Sequence, residues 1–406
     1  MKIKFLSLYF IYFLDLMGLV FVYVVLSPLI VDHSSMIPIE TSLSKRNVIV
    51  GLLFATYPLA QFFAAPILGD LSDRFGRRRI LLISTLGTAI SIAFSGVSIL
   101  ISSLSLLFIS RFVSGVFAGN LTVAQATVSE AVDDEKKERY MSLFSAVGGM
   151  SWTLGPFIAA LLSDKTLVSF FNFATPFWFL TLCTFIGFLL IWWKVDETSE
   201  QKGNQRLALH KVAGNLLSVF KIRSVIHPFL ASLLTIFGWM MYQGFLAPYL
   251  IEKFHYDERW EGYAYALSSL FWMLGGFFTA HILKKHSAKR VIILPLIFSG
   301  IAIFCYLFTI HSWMIWPLLA IANFTQSMVT ACFFGIFARL VPPNNHGKIF
   351  GSWNAGFALA STLGPFLSGI FVRFQVNLPY FIASLILIFT SIYYLIWFQK
   401  EAQEIK

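Results

Sequence analysis

The chain has 406 residues, is 57% hydrophobic with 44 phenylalanines, and has a mean hydropathy of +0.75. Soluble domains carry about 45–50% apolar residues, so a soluble globular protein is excluded, and the length leaves room for about a dozen membrane-spanning helices of roughly 20 residues. The net charge of +10 does not require nucleic acid: Lys45, Arg46, Lys165, Lys253, Arg259 and Arg373 fall in loops expected outside, Arg111 falls inside a helix, and the remaining 23 of the 30 Lys+Arg fall on the expected cytoplasmic side, which is the positive-inside bias.

Taken in order, the first apolar run, about 5–31, is too long for a signal-peptide core and has no small-residue cleavage site, so it reads as a transmembrane helix. Further runs fall at about 48–69, 79–98, 104–129, 140–163 and 173–193. A charged stretch follows with Asp196, Glu197, Glu200, Lys202, Arg206, Lys211 and Lys221. Six more runs fall at about 226–250, 261–283, 290–310, 313–339, 347–373 and 379–398. The expected organisation is a six-helix bundle over 1–195, a cytoplasmic linker over 196–224 and a second six-helix bundle over 225–406. An even number of spans puts both termini on the cytoplasmic side, where Lys400 and Lys406 agree with the bias. The fold class expected is an all-α integral membrane protein of twelve transmembrane helices.

Two sequence echoes support a duplicated unit. Thr153-Leu154-Gly155-Pro156-Phe157 recurs 209 residues later as Thr362-Leu363-Gly364-Pro365-Phe366 (153 to 362). Arg78-Arg79-Ile80 aligns with Lys289-Arg290-Val291, 211 residues on (78 to 289). Repeats of this kind place a substrate site near the bilayer midplane, between the halves.

Gly69-Asp70-Leu71-Ser72-Asp73-Arg74-Phe75-Gly76-Arg77-Arg78-Arg79 is the densest charge cluster between apolar runs. It reads as a short cytoplasmic loop, with Gly69 and Gly76 suited to a tight reversal because glycine reaches left-handed backbone conformations cheaply. The pattern of Gly69, Leu71, Asp73, Arg74, Gly76, Arg77 and Arg78 resembles the loop between helices 2 and 3 of major facilitator transporters, Gly-x-Leu-x-Asp-Arg-x-Gly-Arg-Arg. The resemblance extends to bacterial drug/proton antiporters of the tetracycline-antiporter type. Tyr57, Gln61, Phe62, Pro66 and Leu68 precede the loop as they do there. Leu14, Asp15 and Gly18, then Ser27-Pro28-Leu29, are similar to their first helix, and Arg111-x-x-x-Gly115 with Gly119 to their fourth. Gly148, Gly149, Gly155 and Pro156 are similar to their conformational Gly-Pro element, although the trailing Gly-Gly is Ala159-Ala160 here and an upstream glycine is Ser151.

The resemblance implies a twelve-helix secondary transporter of the bacterial inner membrane that works by alternating access. Proton-coupled efflux of a small organic molecule is the first expectation. An importer or exporter of a nutrient or siderophore-like metal chelate with the same fold is the alternative. In the family the loop aspartate, here Asp73, helps latch the inner gate, and Arg74, Arg77 and Arg78 would tie neighbouring helices and the acids of 133–138. Tetracycline antiporters carry an aspartate in their ninth helix, and residues 291–310 offer none, so tetracycline itself is not the expected substrate. A membrane-embedded enzyme or receptor would need a catalytic cluster or a sizeable soluble domain, and the sequence has neither. The partners expected are a small-molecule substrate, protons and the lipid bilayer, with no nucleic acid, and the chain is expected to act as a monomer.

Three charged residues are candidates for proton coupling. Asp15 interrupts an otherwise uncharged span, where a carboxylate usually faces a cavity and has a use; one lodged there can gain and lose a proton near neutral pH. Arg111 heads a stripe with Gly115, Ala118, Thr122, Gln125 and Ser129, which steps of three and four place on one helical face. It could pair with a proton-carrying acid or bind an anionic group. Glu130 ends that run beside a charged loop. Polar and aromatic residues midway along helices could line an aromatic, mostly uncharged cavity suited to an amphipathic molecule. They are Tyr57, Gln61, Asn120, Gln125, Trp239, Tyr242, Gln243, Trp272, Asn323, Gln326, Trp353 and Asn354. Cys183, Cys305 and Cys332 lack metal-ligand spacing and read as small buried residues. No phosphate-binding Gly-x-x-x-x-Gly-Lys-Ser/Thr or His-Glu-x-x-His motif occurs, so neither cofactor nor metal is expected and energy would come from an ion gradient.

Overall fold

Apolar runs in lipid must satisfy their backbone groups internally, which only helices and closed barrels achieve. Runs of 20 or more residues with glycine, serine and threonine scattered among large apolar residues take the helical solution. The computed structural model describes residues 3–31, 36–38, 40–132, 134–197, 223–340 and 346–404, and among these there are helices and no strand. Most of the charged stretch therefore lies outside the described residues.

The helices are α1 (Ile3–Val31), α2 (Leu43–Phe75), α3 (Arg77–Leu100), α4 (Leu104–Phe117), α5 (Asn120–Glu130), α6 (Asp134–Ser163), α7 (Thr175–Lys194), α8 (Arg223–Gly244), α9 (Leu246–Phe254), α10 (Glu258–Ile282), α11 (Ala288–Val291), α12 (Ile293–Cys305), α13 (Ile315–Leu340), α14 (His346–Phe371) and α15 (Leu378–Glu404). Among the described residues ten stretches are long and apolar enough to cross a membrane, and α10 and α14, of 25 and 26 residues, match them in length. Three expected runs are interrupted. The fourth breaks at Ala118 and Gly119, the seventh at Phe245 and the ninth at Ile292.

The stretch from Gly69 to Arg79 is not an eleven-residue loop. Gly69 to Phe75 continue α2, Arg77 to Arg79 open α3, and the reversal is the single residue Gly76. Its φ of 98° lies in the region that L side chains avoid. Gly69 is an ordinary helical residue with no atom within 4 Å of where a Cβ would be. Charged residues past the hydrocarbon remain helical because helix is still the cheapest way to satisfy their backbone, so charge marked the membrane exit and not the end of the helix.

Chain contacts divide the protein into a first unit (Met1–Arg46, Leu53–Val212, Asp257–Gly262) and a second (Asn47–Leu52, Ala213–Tyr256, Tyr263–Lys406). Within the first, α1 packs on α6 and α7, and α3 packs on α4 and α7. Within the second, α8 packs on α14 and α15, and α12 packs on α13 and α15. The pairing pattern is the same in both. The Gly-Pro repeat shows why. A Cβ on Gly155 of α6 would come within 2.6 Å of Val20 on α1, and one on Gly364 of α14 within 2.9 Å of Met240 on α8. Each glycine lets its helix approach the first helix of its own unit.

Candidate functional site

The fourth span supplies the site. Its break after Phe117 frees backbone carbonyls, and Gln61 of α2 donates from Nε2 to the Ala118 carbonyl at 3.3 Å. Gly115 lies one turn before the break. A Cβ there would be 2.2 Å from the Tyr57 carbonyl oxygen, so only glycine lets α4 lie against α2 at this level. That contact puts the Arg111 guanidinium over the Tyr57 ring, 4.8 Å from its centroid, a cation–π arrangement that gains strength when desolvated. The spacing Arg-x-x-x-Gly thus has a steric cause: the arginine and the glycine share one face, and the glycine admits the backbone of the residue whose ring the arginine stacks on.

Arg111 is 2% exposed. Its Nη1 donates to the Gly18 carbonyl of α1 at 3.3 Å, while Nε and Nη2 have no hydrogen-bond partner. Asp15, on the same α1, is also 2% exposed, and neither of its carboxylate oxygens has a partner. The two are not an ion pair. Tyr57 lies in the field of both charges, its hydroxyl reaching the Asp15 backbone carbonyl at 3.5 Å. Asn120, at the start of α5 and fully buried, approaches the Asp15 carboxylate, yet neither of its amide atoms meets hydrogen-bond geometry. A buried charge costs several kcal/mol of lost hydration unless compensated, and a polar atom left unsatisfied costs about 1–3 kcal/mol. Two such groups side by side are therefore a standing cost to the first unit.

The remaining candidates divide. In the second unit Trp239 packs against Tyr242 and Trp272, with centroids 5.0 and 5.5 Å away. Tyr242 shares a 2.9 Å hydrogen bond with the Tyr306 hydroxyl. Gln243 is buried with its Oε1 unpartnered. Asn323 donates to the Leu319 carbonyl of its own helix and Gln326 accepts from Ser299, so both are internally satisfied. Trp353 stacks with Phe334 and Phe357, Gln125 is half-buried and Asn354 is exposed. Gly148 and Pro156 are buried in α6, Gly149 is half-buried there, and Pro365 is buried in α14. The side chain of Glu130 and those of 133–139 lie outside the described residues.

At the α2–α3 turn Arg77 pairs with Asp73 at 2.6 Å and hydrogen-bonds Ser72. Arg78 donates from Nη2 to the Trp192 carbonyl near the end of α7 at 2.7 Å, and its backbone amide donates to Glu197 at 3.4 Å. Arg74 is half-buried at the end of α2, beside Asp70 one turn back.

Several functional-looking groups escaped the sequence reading. Tyr249, Tyr306 and Tyr380 form a buried cluster with Tyr242, and Lys253 donates into it, to Tyr249 Oη at 3.0 Å and Thr309 Oγ1 at 3.1 Å. Burial pushes the Lys253 ammonium below its ordinary range. Glu252, whose burial raises its carboxyl against the opposing effect of Asn47, accepts from the Asn47 amide at 3.0 Å. Arg259 pairs with Asp164 through two nitrogens. Glu261 is fully buried in the first turn of α10. The signal was present only as isolated tyrosines and charges in or beside apolar runs; nothing local tied Tyr242 to Tyr380 or Asp164 to Arg259.

Among the described residues, twelve helical stretches of membrane-spanning length fall in two like-patterned units, the first holding a buried carboxylate and a buried guanidinium that do not pair, an arrangement that suits a membrane transporter. The chain belongs to the Major Facilitator Superfamily, whose sequence profile matches residues 8–294 and 228–406. It is 29% identical over 323 residues to the class C tetracycline resistance protein of Escherichia coli, across 78% of each chain. The solved D-xylose–proton symporter shares the fold with a TM-score of 0.76 over 97% of each chain at 15% identity. The human organic anion transporter MFSD10 does so with a TM-score of 0.70 over 97% of this chain and 99% of its own, at 17% identity.

Proposed function

We propose that the protein exports a small organic molecule across a bacterial inner membrane in exchange for protons, by alternating access, as a monomer with both termini cytoplasmic. The observation that carries this is Asp15. Its carboxylate is buried in a membrane-spanning helix with neither oxygen satisfied. Protonation relieves the cost of the buried charge and loss of the proton restores it, so proton occupancy and helix packing are linked. Tyr57 lies in the field of both Asp15 and Arg111 and so links the two buried charges. The α2–α3 turn, with Asp73 and Arg77 paired beside a one-residue reversal, supports a gating role for that end of the first unit.

The likeness to tetracycline resistance proteins supports efflux. Residues 291–310 hold no acid, which favours a substrate other than tetracycline. The test is accumulation of a panel of dyes, drugs and iron chelates in cells with and without the protein, and with and without an uncoupler. Export of at least one compound, abolished by the uncoupler and by Asp15→Asn at equal expression, is expected. Uncoupler-insensitive export would remove the proton from the mechanism, and full export by the Asn variant would remove Asp15 from it.

A further inference from the structure

The Arg111 guanidinium is a built site for an anion. An arginine presents two N–H pairs: the side-on edge of Nε and Nη2, and the end that includes Nη1. Here Nη1 is committed to the Gly18 carbonyl, and the ring of Tyr57 covers one face. The side-on edge, Nε with Nη2, is the part without an acceptor. Those two donors are parallel and coplanar, the fork that a carboxylate, sulfonate or phosphate accepts through two oxygens. The guanidinium is held by the Gly18 carbonyl and the Tyr57 ring, and its buried side-on edge, the one that recognises a planar anion, has no acceptor.

The protein does not supply that anion itself. Asp15 is the buried acid on α1, but its oxygens are unpartnered and it forms no ion pair with Arg111. Solvent does not supply it either, since Arg111 is 2% exposed. Gly115 shows that the arginine is placed and not left over, because α4 can hold this position only where a Cβ is absent. We propose that Arg111 binds the anionic group of the transported molecule, so that the substrate class is amphipathic organic anions. This rests on the reading of the chain as an exporter of small organic molecules, and it names the charge of what is exported. Asp15 then carries the proton while Arg111 holds the cargo, and Tyr57 touches both residues.

Two dyes that share a xanthene skeleton separate this from a structural role. Fluorescein is anionic near neutral pH and rhodamine 123 is cationic. Equilibrium binding of each to the purified full chain in neutral detergent is read by fluorescence polarisation. Fluorescein is expected to bind about tenfold or more tighter than rhodamine 123, the range for one charge-assisted bidentate contact. Arg111→Gln should erase that preference by weakening fluorescein alone. Arg111→Lys, which keeps the charge and loses the fork, should fall between and serves if the Gln variant does not fold. Failure of fluorescein to bind, equal affinities in the wild type, or loss of both dyes together in a folded variant would overturn the assignment. So would tighter rhodamine binding with fluorescein unchanged in Arg111→Gln, which would mean that the arginine serves Asp15. Because no gradient is present, a failed proton-coupling test leaves this one intact, and the reverse holds too.

Discussion

Two buried polar clusters, one in each unit, are satisfied to different degrees. In the first, Asp15, Arg111 and Asn120 are buried with polar atoms that meet no partner. In the second, the tyrosine cluster is knitted together. Tyr249 bonds the Tyr306 carbonyl at 2.9 Å and Thr309 at 2.8 Å, Tyr380 donates to the Phe245 carbonyl at 3.1 Å, and the rings of Tyr306 and Tyr380 stack. Satisfied polar groups rigidify a core, whereas unsatisfied ones cost stability and persist where a ligand or a proton completes them. The same helix pairing therefore carries an unmet polar cluster in the first unit and, in the second, a satisfied tyrosine cluster close in sequence to the unpartnered Gln243 Oε1.

The contrast can be broken most sharply at Asp15. Asp15→Asn should reduce uphill transport to the empty-vector level while the thermal midpoint stays level or rises, because a neutral amide of similar shape replaces a buried charge. Gradient-driven flux in vesicles, read beside a melting curve, checks both halves; a variant that transports normally but melts early would make Asp15 structural. In the second unit the reverse is expected. Tyr249→Phe removes one acceptor of the Lys253 ammonium and one donor to the Tyr306 carbonyl and should cost about 1–3 kcal/mol of stability, with transport per folded molecule retained. Loss of transport at unchanged melting temperature would move the tyrosine cluster into the mechanism.

Two glycines sharpen the comparison at the level of the backbone. Gly115→Ala drives a methyl into the Tyr57 carbonyl and should cost about 1–3 kcal/mol. Gly69→Ala meets nothing and should be neutral or stabilise by up to about 1 kcal/mol through helix propensity. Chemical-denaturation midpoints of both variants decide this, and a destabilised Gly69→Ala would mean that the residue is needed in a non-helical state.

The smallest effect is expected at Asp164. Burial raises its carboxyl, but the Thr166 hydroxyl and backbone amide and the Arg259 guanidinium outweigh it and hold the group below the ordinary carboxylate range. A depressed carboxyl stabilises above the unfolded value of about 4 and loses that contribution as pH falls through the folded value. Arg259 is 44% exposed, so screening limits the pair to under about 1 kcal/mol. The melting gap between the wild type and Asp164→Asn should be small and flat between pH 6 and 8 (about two to four units above the carboxylate value) and close below about pH 4. A gap that widens in acid would contradict the assignment.

Membrane spans, their number and the duplicated unit were legible in the chain, because a helix in lipid is specified by length and apolarity alone and Gly155-Pro156 repeats visibly as Gly364-Pro365. Asp15 and Arg111 were legible for the same reason: a charge inside an apolar run stands out whatever packs around it. The α2–α3 turn was misjudged in extent, since charge reports where lipid ends and only the backbone of Gly76 reports where the helix does. That Arg111 and Asp15 do not pair, that the unmet edge is Nε with Nη2, and that Tyr57 touches both residues were decided by packing. α4 meets α2 at Gly115 and α1 at Gly18, and the direction of a side chain across three helices follows from steric fit that no single run of sequence encodes. The tyrosine–lysine cluster belongs to the same class. Its members come from α8, α9, α15 and the turn after α12, and hydrogen bonds between residues so far apart in the chain exist only once the helices have been brought together.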